Sequence, residues 1–410
     1  MRNLKLFIVV AFVFLCNTGR AQETLKVMYY NLLNFPSTSP ERADTLKKIV
    51  QHVLPDMFLV NELDNQFGAT LILNNALNQN GITHYQQATF VDGPDTDNML
   101  FFNSNKLGLI SQNEIQTSLR DINEYILYYK APDLASTMDT AFFFMYSCHL
   151  KAGSTDPNPD YRLAEAQVFK NYLSGKTGLK NVMFGGDFNF YGSSVSSEPA
   201  HNWVLNGGTI PLFDPIDMTG EWHANSFYAS IHTQSTRTVS FDGGATGGLD
   251  DRFDFVFISN DLQTGANKAK YVDNSYTSIG NDGAHYNTSL VNPLSNGAVP
   301  DDVANALYQM SDHLPVYLEI QVGGDVGITE NDYISSFSFN STSRELEVFL
   351  KNSENQISLS VYDISGKRIL YETHSGSEQV KTSFPYLKSG IYIINLRVLG
   401  KSTSLKVVVL

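Results

Sequence analysis

Cysteine is almost absent from this chain of 410 residues. One of its two cysteines, Cys16, lies in an N-terminal segment with the features of a cleaved signal, which leaves Cys148 alone in the mature protein. A single cysteine cannot form an intramolecular disulfide, and we expect Cys148 to be an inert core residue. An exported protein without disulfides must be stabilised by a hydrophobic core, by a bound metal, or by both.

Long apolar runs are scarce as well. The N-terminal run Leu6–Leu15 follows two basic residues and leads through small residues to Ala21. A run of this length is too short for a comfortable membrane-spanning helix. It predicts a secretory signal peptide over residues 1–21. A lipoprotein cysteine at Cys16 is the alternative, although the preceding leucine is bulkier than such sites usually accept.

Positive charge is the third scarcity. The chain has 28 Lys and Arg against 42 Asp and Glu, and residues 22–329 hold 16 of the former and 34 of the latter, a net charge of −18. A segment with this much negative charge is not suited to tight, non-specific binding of a polyanion. It can still hydrolyse a phosphoester if a metal and a few local cations handle the phosphate.

Apolar strand-like runs alternate with amphipathic helices from Leu25 to about Val322, which predicts an α/β domain. The predicted strands are Leu25–Asn31, Met57–Asn61, Met99–Asn103, Glu124–Lys130, Ala141–His149, Asn181–Asp187, Phe253–Ser259 and Val316–Val322. The predicted helices are Glu41–Val53, Phe67–Gln79 and Asp160–Ser174.

The remaining segments predict loops and a second domain. Residues 207–250 are rich in Gly, Ser, Thr and His, which favours a long loop ahead of a strand, and Asn281–Asp302 has similar signals. A Gly-rich linker at 323–332 separates a catalytic domain at 22–322 from residues 333–410. The last segment has short alternating runs between turn residues, which predicts a small all-β sandwich.

Carboxylate and amide side chains follow several predicted strands. Glu62 ends an apolar run, and Asp187 and Asn189 follow two glycines with a spacing that puts both side chains on one side of an extended segment. Carboxylate oxygens are the ligands that hard divalent cations prefer. A solvated strand-end glutamate and a turn aspartate that caps its own backbone are the alternatives.

Two histidines are candidates for proton transfer. His313 can take a proton from water if a buried carboxylate orients it, and Asp254, flanked by aromatic residues, suits that role. His149 ends a strand and is a candidate acid or a cation facing developing negative charge. The alternatives are a structural salt bridge of Asp254, for example to Arg252, and a satisfied strand-end histidine.

Three further basic side chains are candidates for contact with a phosphate. They are Arg120, in the segment SLRD, and the loop pair His232 and Arg237, in the segment IHTQSTR. Exposed surface charge is an equally good account of all three.

The ordered set of motifs resembles the endonuclease/exonuclease/phosphatase superfamily. The motifs are MYYNLLNF, LVNELD, YSCHLKAG, FGGDFNF, DDRFDFVFIS and MSDHLPVY, and the resemblance covers roughly residues 25–322. It implies a four-layer α/β sandwich, in which two packed mixed β-sheets are flanked by helices. It also implies a divalent cation, Mg²⁺ in the first place, with Ca²⁺ or Mn²⁺ as alternatives.

The resemblance implies a role for each motif. Glu62 would be the principal metal ligand, and Asn31 and Asp312 would complete the metal-side or phosphate-side shell. Asp187 and Asn189 would position the nucleophile and the phosphate. His313, paired with Asp254, would act as the base. His149 would be the opposing histidine, and Arg120 a phosphate-binding arginine.

The C-terminal segment resembles the sorting domain of the type IX secretion system. The matching motifs are Val361-Tyr362-Asp363, Ser389-Gly390-Ile391-Tyr392 and the apolar tail that begins at Lys406. The resemblance implies the type IX machinery as a partner and a secreted or outer-membrane-surface location. A generic β-sandwich binding module is the alternative.

The leading functional prediction is a secreted, metal-dependent phosphodiesterase, specifically an extracellular nuclease acting on nucleic acid as a monomer. The acidic body counts against a polymer substrate. A sphingomyelinase-like enzyme, or another hydrolase of phospholipids or small phosphoesters, fits the charge better. A non-catalytic surface adhesin on the same fold is the third possibility.

Overall fold

The computed structural model describes residues 22–240, 243–323, 334–341, 343–350, 357–363, 367–374, 378–398 and 401–409. The predicted signal peptide, and the predicted linker beyond Gly323, lie outside the described residues. The chain divides into two compact units, one up to residue 325 and one from residue 326. The domain boundaries expected from the sequence stay predictions.

The first unit is built on two mixed β-sheets. In chain order its strands are β1 (Glu23–Phe35), β2 (Met57–Leu63), β3 (Tyr85–Gln87), β4 (Asp97–Asn103), β5 (Leu107–Ile115), β6 (Ile122–Tyr129), β7 (Phe142–His149), β8 (Val182–Asp187), β9 (Leu212–Phe213), β10 (Asp254–Ser259), β11 (Ala269–Tyr271), β12 (Thr277–Ser278) and β13 (Val316–Val322). The first sheet has the order β11-β13-β1-β2-β4-β3, with β12 also paired to β13, and the second has the order β5-β6-β7-β8-β10-β9. Each sheet contains one parallel pair, β1–β2 and β7–β8.

Among the described residues of this unit, seven α-helices lie between the strands. They are α1 (Arg42–Val53), α2 (Gln66–Leu71), α3 (Leu134–Thr137), α4 (Asn158–Gly175), α5 (Pro199–Asn206), α6 (Asn260–Thr264) and α7 (Asp301–Met310), with a π-helical turn at Ile72–Leu77 and a 3₁₀ helix at Ser226–Ile231. No helix in the described part of the chain is long and apolar enough to cross a membrane.

Buried side chains join these elements into four layers. Helices α1 and α7 pack on the first sheet through residues such as Leu46 and Leu307. Helix α4 packs on the second sheet, where the ring of Phe169 stacks on Phe184 at 3.7 Å. The inner faces meet where β1 packs against β8, and the hydroxyl of Tyr29 donates across the gap to a β7 carbonyl. The four-layer α/β sandwich expected from the resemblance is confirmed.

Every strand and helix predicted from apolar patterning is present, with small shifts at the ends. Strand β5 was missed because it lies at a sheet edge with most of its side chains partly or fully exposed, which weakens the apolar signal. Helix α7 was missed as well, and its first two residues were assigned to the loop-like stretch that ends at Asp302. Residues 207–250 are largely irregular, as expected, apart from β9 and the 3₁₀ helix.

The second unit is all β. Its strands are β14 (Ile334–Asn340), β15 (Glu345–Leu350), β16 (Ile357–Asp363), β17 (Arg368–His374), β18 (Gln379–Ser383), β19 (Gly390–Val398) and β20 (Lys401–Val409). They form two sheets, β14-β15-β18 and β17-β16-β19-β20. One apolar cluster, which includes Val348, Leu359 and Leu396, contains side chains of both sheets. This is the small β-sandwich that the sequence predicts.

One buried ion pair supports the loop that follows β7. Arg162 on α4 is buried and donates from Nε to a carboxylate oxygen of Glu198 at 2.9 Å, with a second bond from Nη2. Its Nη1 donates to the carbonyls of Lys151 and Gly153, each at 2.8 Å. The guanidinium thus ties the helix to a loop that borders the cavity described below.

We expect Arg162→Met to lower the free energy of unfolding of the first unit by about 3–5 kcal/mol, because it leaves Glu198 buried and unpaired. Urea unfolding followed by tryptophan fluorescence reports on this unit, since Trp203 and Trp222 are the only tryptophans of the chain. The control is Lys47→Met, which removes a surface pair with Asp44 and should cost less than about 1 kcal/mol. Equal losses in both variants would contradict a structural role for the Arg162 pair.

Candidate active site

Strand register gathers the predicted side chains at one end of the sandwich. In the parallel pair β7–β8, His149 lies opposite Asp187, and in the antiparallel pair β8–β10, Asp187 lies opposite Asp254. From the other sheet, Asn31 of β1 and Glu62 of β2 reach the same point, since Asn31 is hydrogen-bonded to both Glu62 and Asp187. Residues far apart in the chain therefore form one cluster around Asp187.

Two glycines allow this close approach. A Cβ on Gly185 would lie 2.7 Å from the ring of Tyr29, which crosses from the first sheet. A Cβ on Gly186 would lie 2.1 Å from the carbonyl oxygen of Cys148, and Gly186 has a φ of 130°. Glycine is the residue that fits such positions without a steric cost. The GGD sequence is thus a packing requirement as well as a motif.

The backbone is strained at two of the site residues. Glu62 and Asn189 have φ values of 56° and 52°, in the left-handed region that residues other than glycine seldom adopt. The pairing of β2 with β4 shifts register between Val60 and Leu63, so Glu62 lies on a bulge that turns its side chain. Strain of this kind costs about 1–3 kcal/mol per residue and is concentrated at functional sites.

Asn31 holds the two central carboxylates together. Its Nδ2 donates to Oε1 of Glu62 at 2.9 Å and to Oδ2 of Asp187 at 3.0 Å, while its Oδ1 accepts from the amide of Leu33 at 3.0 Å. The other oxygen of Glu62 accepts from the amide of Asn34 at 2.9 Å. The oxygen of Asn31 is therefore engaged by the backbone. Asn31 thus orients the two carboxylates, and its expected place in the metal-side or phosphate-side shell stays a prediction.

The arrangement fits a hard divalent cation. Ligand atoms of Glu62, His149 and Asp187 lie within 4.8 Å of one another. His149 Nδ1 is 3.7 Å from Glu62 Oε1, and its Nε2 is 3.5 Å from Asp187 Oδ2. His149 Nδ1 and Asp312 Oδ1 are buried and have no hydrogen-bond partner within the described part of the chain. Mg²⁺, Mn²⁺ and Ca²⁺ prefer carboxylate oxygens, which this cluster supplies next to buried polar atoms that lack a partner among the described residues.

Burial dominates the electrostatics of this cluster. It raises the pKa of Glu62, and it raises the pKa of Asp187 to about 7, with further increases from Asp254 and Glu62. It also lowers the pKa of His149 well below its ordinary value, helped by Arg120 and His313. This shift favours the neutral imidazole of His149, and its role as an acid or as a cation stays a prediction.

His313 and Asp254 form the pair that the sequence predicts as the base. His313 Nδ1 is 2.7 Å from Asp254 Oδ2, and both side chains are buried. Burial lowers the pKa of His313, but Asp254, Asp187 and Asp312 outweigh it, so this pKa lies well above its ordinary value. The other ring nitrogen, Nε2, is 3.6 Å from Asp187 Oδ2. It therefore points to the same carboxylate that His149 approaches.

A cavity of about 420 Å³ opens onto this cluster. The predicted site residues that line it are Glu62, Arg120, His149, Asp187, Asn189, Asp312 and His313. Asn31 and Asp254 lie directly behind the lining and contact it through hydrogen bonds. The structure thus brings these nine predicted residues to one place, while their roles stay predictions.

The remaining two predicted residues, His232 and Arg237, do not reach the cavity. Both are fully buried. His232 Nε2 is 3.0 Å from the carbonyl of Trp222, and Arg237 donates to the carbonyls of Tyr308 and Gln309. Their polar atoms hold the long loop in place, because buried backbone carbonyls need donors. This corrects the expectation that they contact a phosphate.

The structure adds residues that sequence patterning missed. Gln234, which lies between His232 and Arg237, has its Nε2 2.7 Å from His313 Nε2 and 3.3 Å from Asp312 Oδ2. Tyr191 and Phe253 also line the cavity. The irregular segment that carries Gln234 has no periodicity from which its position could be inferred. Tyr191 and Phe253 are neighbours of recognised motifs, and that proximity was the available signal.

Comparison with known proteins agrees with the geometry. Residues 28–313 match the model of the Endonuclease/Exonuclease/phosphatase family, and residues 340–410 match a secretion system C-terminal sorting domain. No curated protein matches the chain.

Solved structures with a similar fold include three from distant organisms. D. rerio TDP2 complexed with a single-strand DNA product has 13% identity and a TM-score of 0.48, over 72% of this chain and 98% of that one. An endonuclease/exonuclease/phosphatase from Beutenbergia cavernae has 12% identity and a TM-score of 0.44, over 94% and 100%. A Bacteroides thetaiotaomicron mannosyl-6-phosphatase has 15% identity and a TM-score of 0.42, over 72% and 99%. At these identities the likeness carries no information about substrate.

We expect binding of Mg²⁺ or Mn²⁺ to weaken as the pH falls below about 7. The pKa of Asp187 is about 7 in the metal-free site, so below that pH a proton must leave before a cation binds. One such proton lowers the apparent affinity by about tenfold per pH unit. Calorimetric titration at pH 6 and pH 8, in buffers of different ionisation enthalpy, measures both the affinity and the protons released. Affinity independent of pH, or unaffected by Glu62→Gln, would contradict this assignment.

Proposed function

We propose that this chain, which belongs to the endonuclease/exonuclease/phosphatase family and is a hydrolase of phosphoesters, cleaves the phosphoester of a small molecule or one at the exposed end of a larger molecule. Its C-terminal sorting domain directs it through type IX secretion to the cell surface or the extracellular space. The observation that carries the proposal is the convergence of Glu62, His149, Asp187 and the Asp254–His313 pair on one small cavity.

Glu62 and Asp187, with His149 close by, would hold a divalent cation. When bound, such a cation supplies a Lewis acid that polarises a phosphoryl oxygen. Asn31 keeps the two carboxylates in position by donating to both. Asn189 lies beside Asp187, whose Oδ1 accepts from the Asn189 amide at 3.0 Å, and would face the phosphate.

The Asp254–His313 pair would remove the proton from the attacking water. Asp254 accepts from His313 Nδ1, so the lone pair lies on Nε2, where it accepts from Gln234 Nε2 at 2.7 Å and would take the proton once that contact opens. Asp254 would then stabilise the imidazolium that forms. The carboxylates that raise the pKa of His313 stabilise the same imidazolium, so His313 can act as the base only when it starts as the neutral imidazole.

The charge of the cavity favours a small substrate. Among the described residues that line it, Arg120 is the only Lys or Arg, and its Nη2 is paired with Asp95 at 2.9 Å. Burial together with the nearby Asp92, Asp121 and Asp95 raises the pKa of Asp97 to about 6, which marks an acidic rim on that side. Duplex DNA carries one charge per about 1.7 Å of helix axis, so it would meet repulsion beyond the scissile phosphate.

The substrate classes expected from the sequence remain open to one experiment. The protein is incubated, with Mg²⁺ and then with EDTA, with small phosphomonoesters and phosphodiesters, sphingomyelin vesicles, plasmid DNA and RNA. We expect metal-dependent turnover of a small phosphoester and little of either polymer. Faster cleavage of DNA or RNA would restore the extracellular nuclease, and release of phosphocholine would identify the phospholipid alternative. The non-catalytic adhesin is disfavoured, since the family consists of hydrolases.

We expect Asp254→Asn to lower kcat by about 10³–10⁴-fold, because an amide no longer orients or stabilises the imidazolium of His313. The matched control is Asp282→Asn, which alters a similar pair, since Asp282 lies 2.8 Å from the buried His285. That pair is outside the cavity lining, so activity should stay within about twofold of the unaltered protein. A fully active Asp254→Asn variant would refute the base assignment for any substrate.

A further inference from the structure

An aromatic and polar rim adjoins the cavity without a role in the proposed chemistry. Tyr191 and Phe253 line the cavity, with their ring centroids 4.9 Å apart in an edge-to-face arrangement. The ring of His223 lies 5.4 Å from that of Tyr191, and the side chain of His223 is 55% exposed. A substrate group that leaves the cavity over Tyr191 would therefore reach His223.

His223 has a fixed orientation in spite of its exposure. Its Nδ1 is 2.7 Å from Oδ1 of Asp251, whose side chain is largely buried. A carboxylate at Nδ1 fixes the tautomer and the plane of the imidazole. Nε2 then lies on the opposite edge of a half-exposed ring, where it can exchange a hydrogen bond with a ligand.

Asp251 also connects this rim to the proposed base. The carbonyl of Asp251 accepts from the amides of Thr233 and Gln234, and the amide of Asp251 donates to the carbonyl of Gln234. The side chain of Gln234 in turn contacts His313 Nε2. Backbone hydrogen bonds between Asp251 and residues 233–234 therefore link the residue that orients His223 to the residue that contacts the proposed base.

These residues suit one kind of chemical group. The half-buried ring of Tyr191, with the buried Phe253 packed against it, offers apolar area to a flat or puckered ring. His223 offers a directed polar atom at the edge of that ring. A cavity of about 420 Å³ has room for a phosphate and one such ring. An unbranched alkyl group would use the apolar area and leave His223 without a partner.

Resting on the proposed function, we propose that Tyr191, Phe253 and His223 form a subsite for the alcohol part of the substrate, and that this part is a ring bearing hydroxyl groups. A sugar and a nucleoside share this chemistry. Tyr191, supported by Phe253, would pack against the ring, and His223, held by Asp251, would hydrogen-bond to a hydroxyl at its edge.

The test compares three phosphomonoesters with the full-length protein and Mg²⁺: a hexose 6-phosphate, a nucleoside 5′-monophosphate and n-butyl phosphate. We expect His223→Gln and Tyr191→Leu to raise KM about tenfold for a ring-bearing substrate, the loss of roughly one good contact. We expect the kcat/KM of His223→Gln for n-butyl phosphate to stay within about twofold, because His223 does not line the cavity and has no partner on an alkyl group. The hexose and nucleoside arms distinguish the two sources of the ring.

The matched control is His374→Gln, which alters a histidine 3.3 Å from a carboxylate in the second unit and should change neither substrate class. Equal losses on ring-bearing and alkyl substrates would mean that the rim acts only on the structure of the site, and would overturn the subsite. So would unchanged KM values in both variants.

A binding measurement separates this proposal from the proposed function. Calorimetric titration of the free hexose and the free nucleoside, which carry no phosphate, measures binding without metal and without turnover. About tenfold weaker binding to His223→Gln would support the subsite even if no phosphoester is hydrolysed, a result that would refute only the proposed function. Equal binding to the unaltered protein and the variant would overturn the subsite.

Discussion

The crowding of buried carboxylates around Asp187 is the constraint on which the rest of the site depends. Glu62, Asp187 and Asp254 are brought together out of water, and each loses solvation that an ionised carboxylate needs. The site offsets this cost with donors from Asn31 and from backbone amides, and with the imidazole of His313. The negative charge that remains at the site favours the binding of a divalent cation.

The scaffold makes this crowding possible by joining the two sheets through polar contacts below the site. Asn61 of β2 donates to Asn98 Oδ1 at 2.6 Å, to Ser147 Oγ at 3.1 Å and to the carbonyl of Cys148 at 3.0 Å. Asn98 in turn donates to Asn123. A buried network of this kind, with its donors satisfied, holds the strand ends rigid. The position of Asp187 between two histidines follows from that rigidity.

The same charge balance shapes what the site can accept. In the proposed function, a site whose carboxylates outnumber its cations would bind a phosphate through the metal and Arg120, and would offer little to neighbouring phosphates. Discrimination then depends on neutral groups beside the cavity, where Tyr191, Phe253 and His223 lie. An exported enzyme with this distribution is suited to small phosphoesters more than to polyanions.

The fold class, the strands that carry Asn31, His149 and Asp187, and the pairing of Asp254 with His313 could all be predicted from the sequence. Apolar runs and short motifs at strand ends carry that information locally, and a parallel or antiparallel register then places their ends together. The role of the long loop could be seen only in the folded chain. Arg237 bonds a carbonyl 71 residues away, and Gln234 reaches His313 across 79 residues. A segment without periodicity takes its path from such distant contacts. His232 and Arg237, which were expected at the phosphate, therefore stabilise the loop from within, and Gln234 contacts the proposed base.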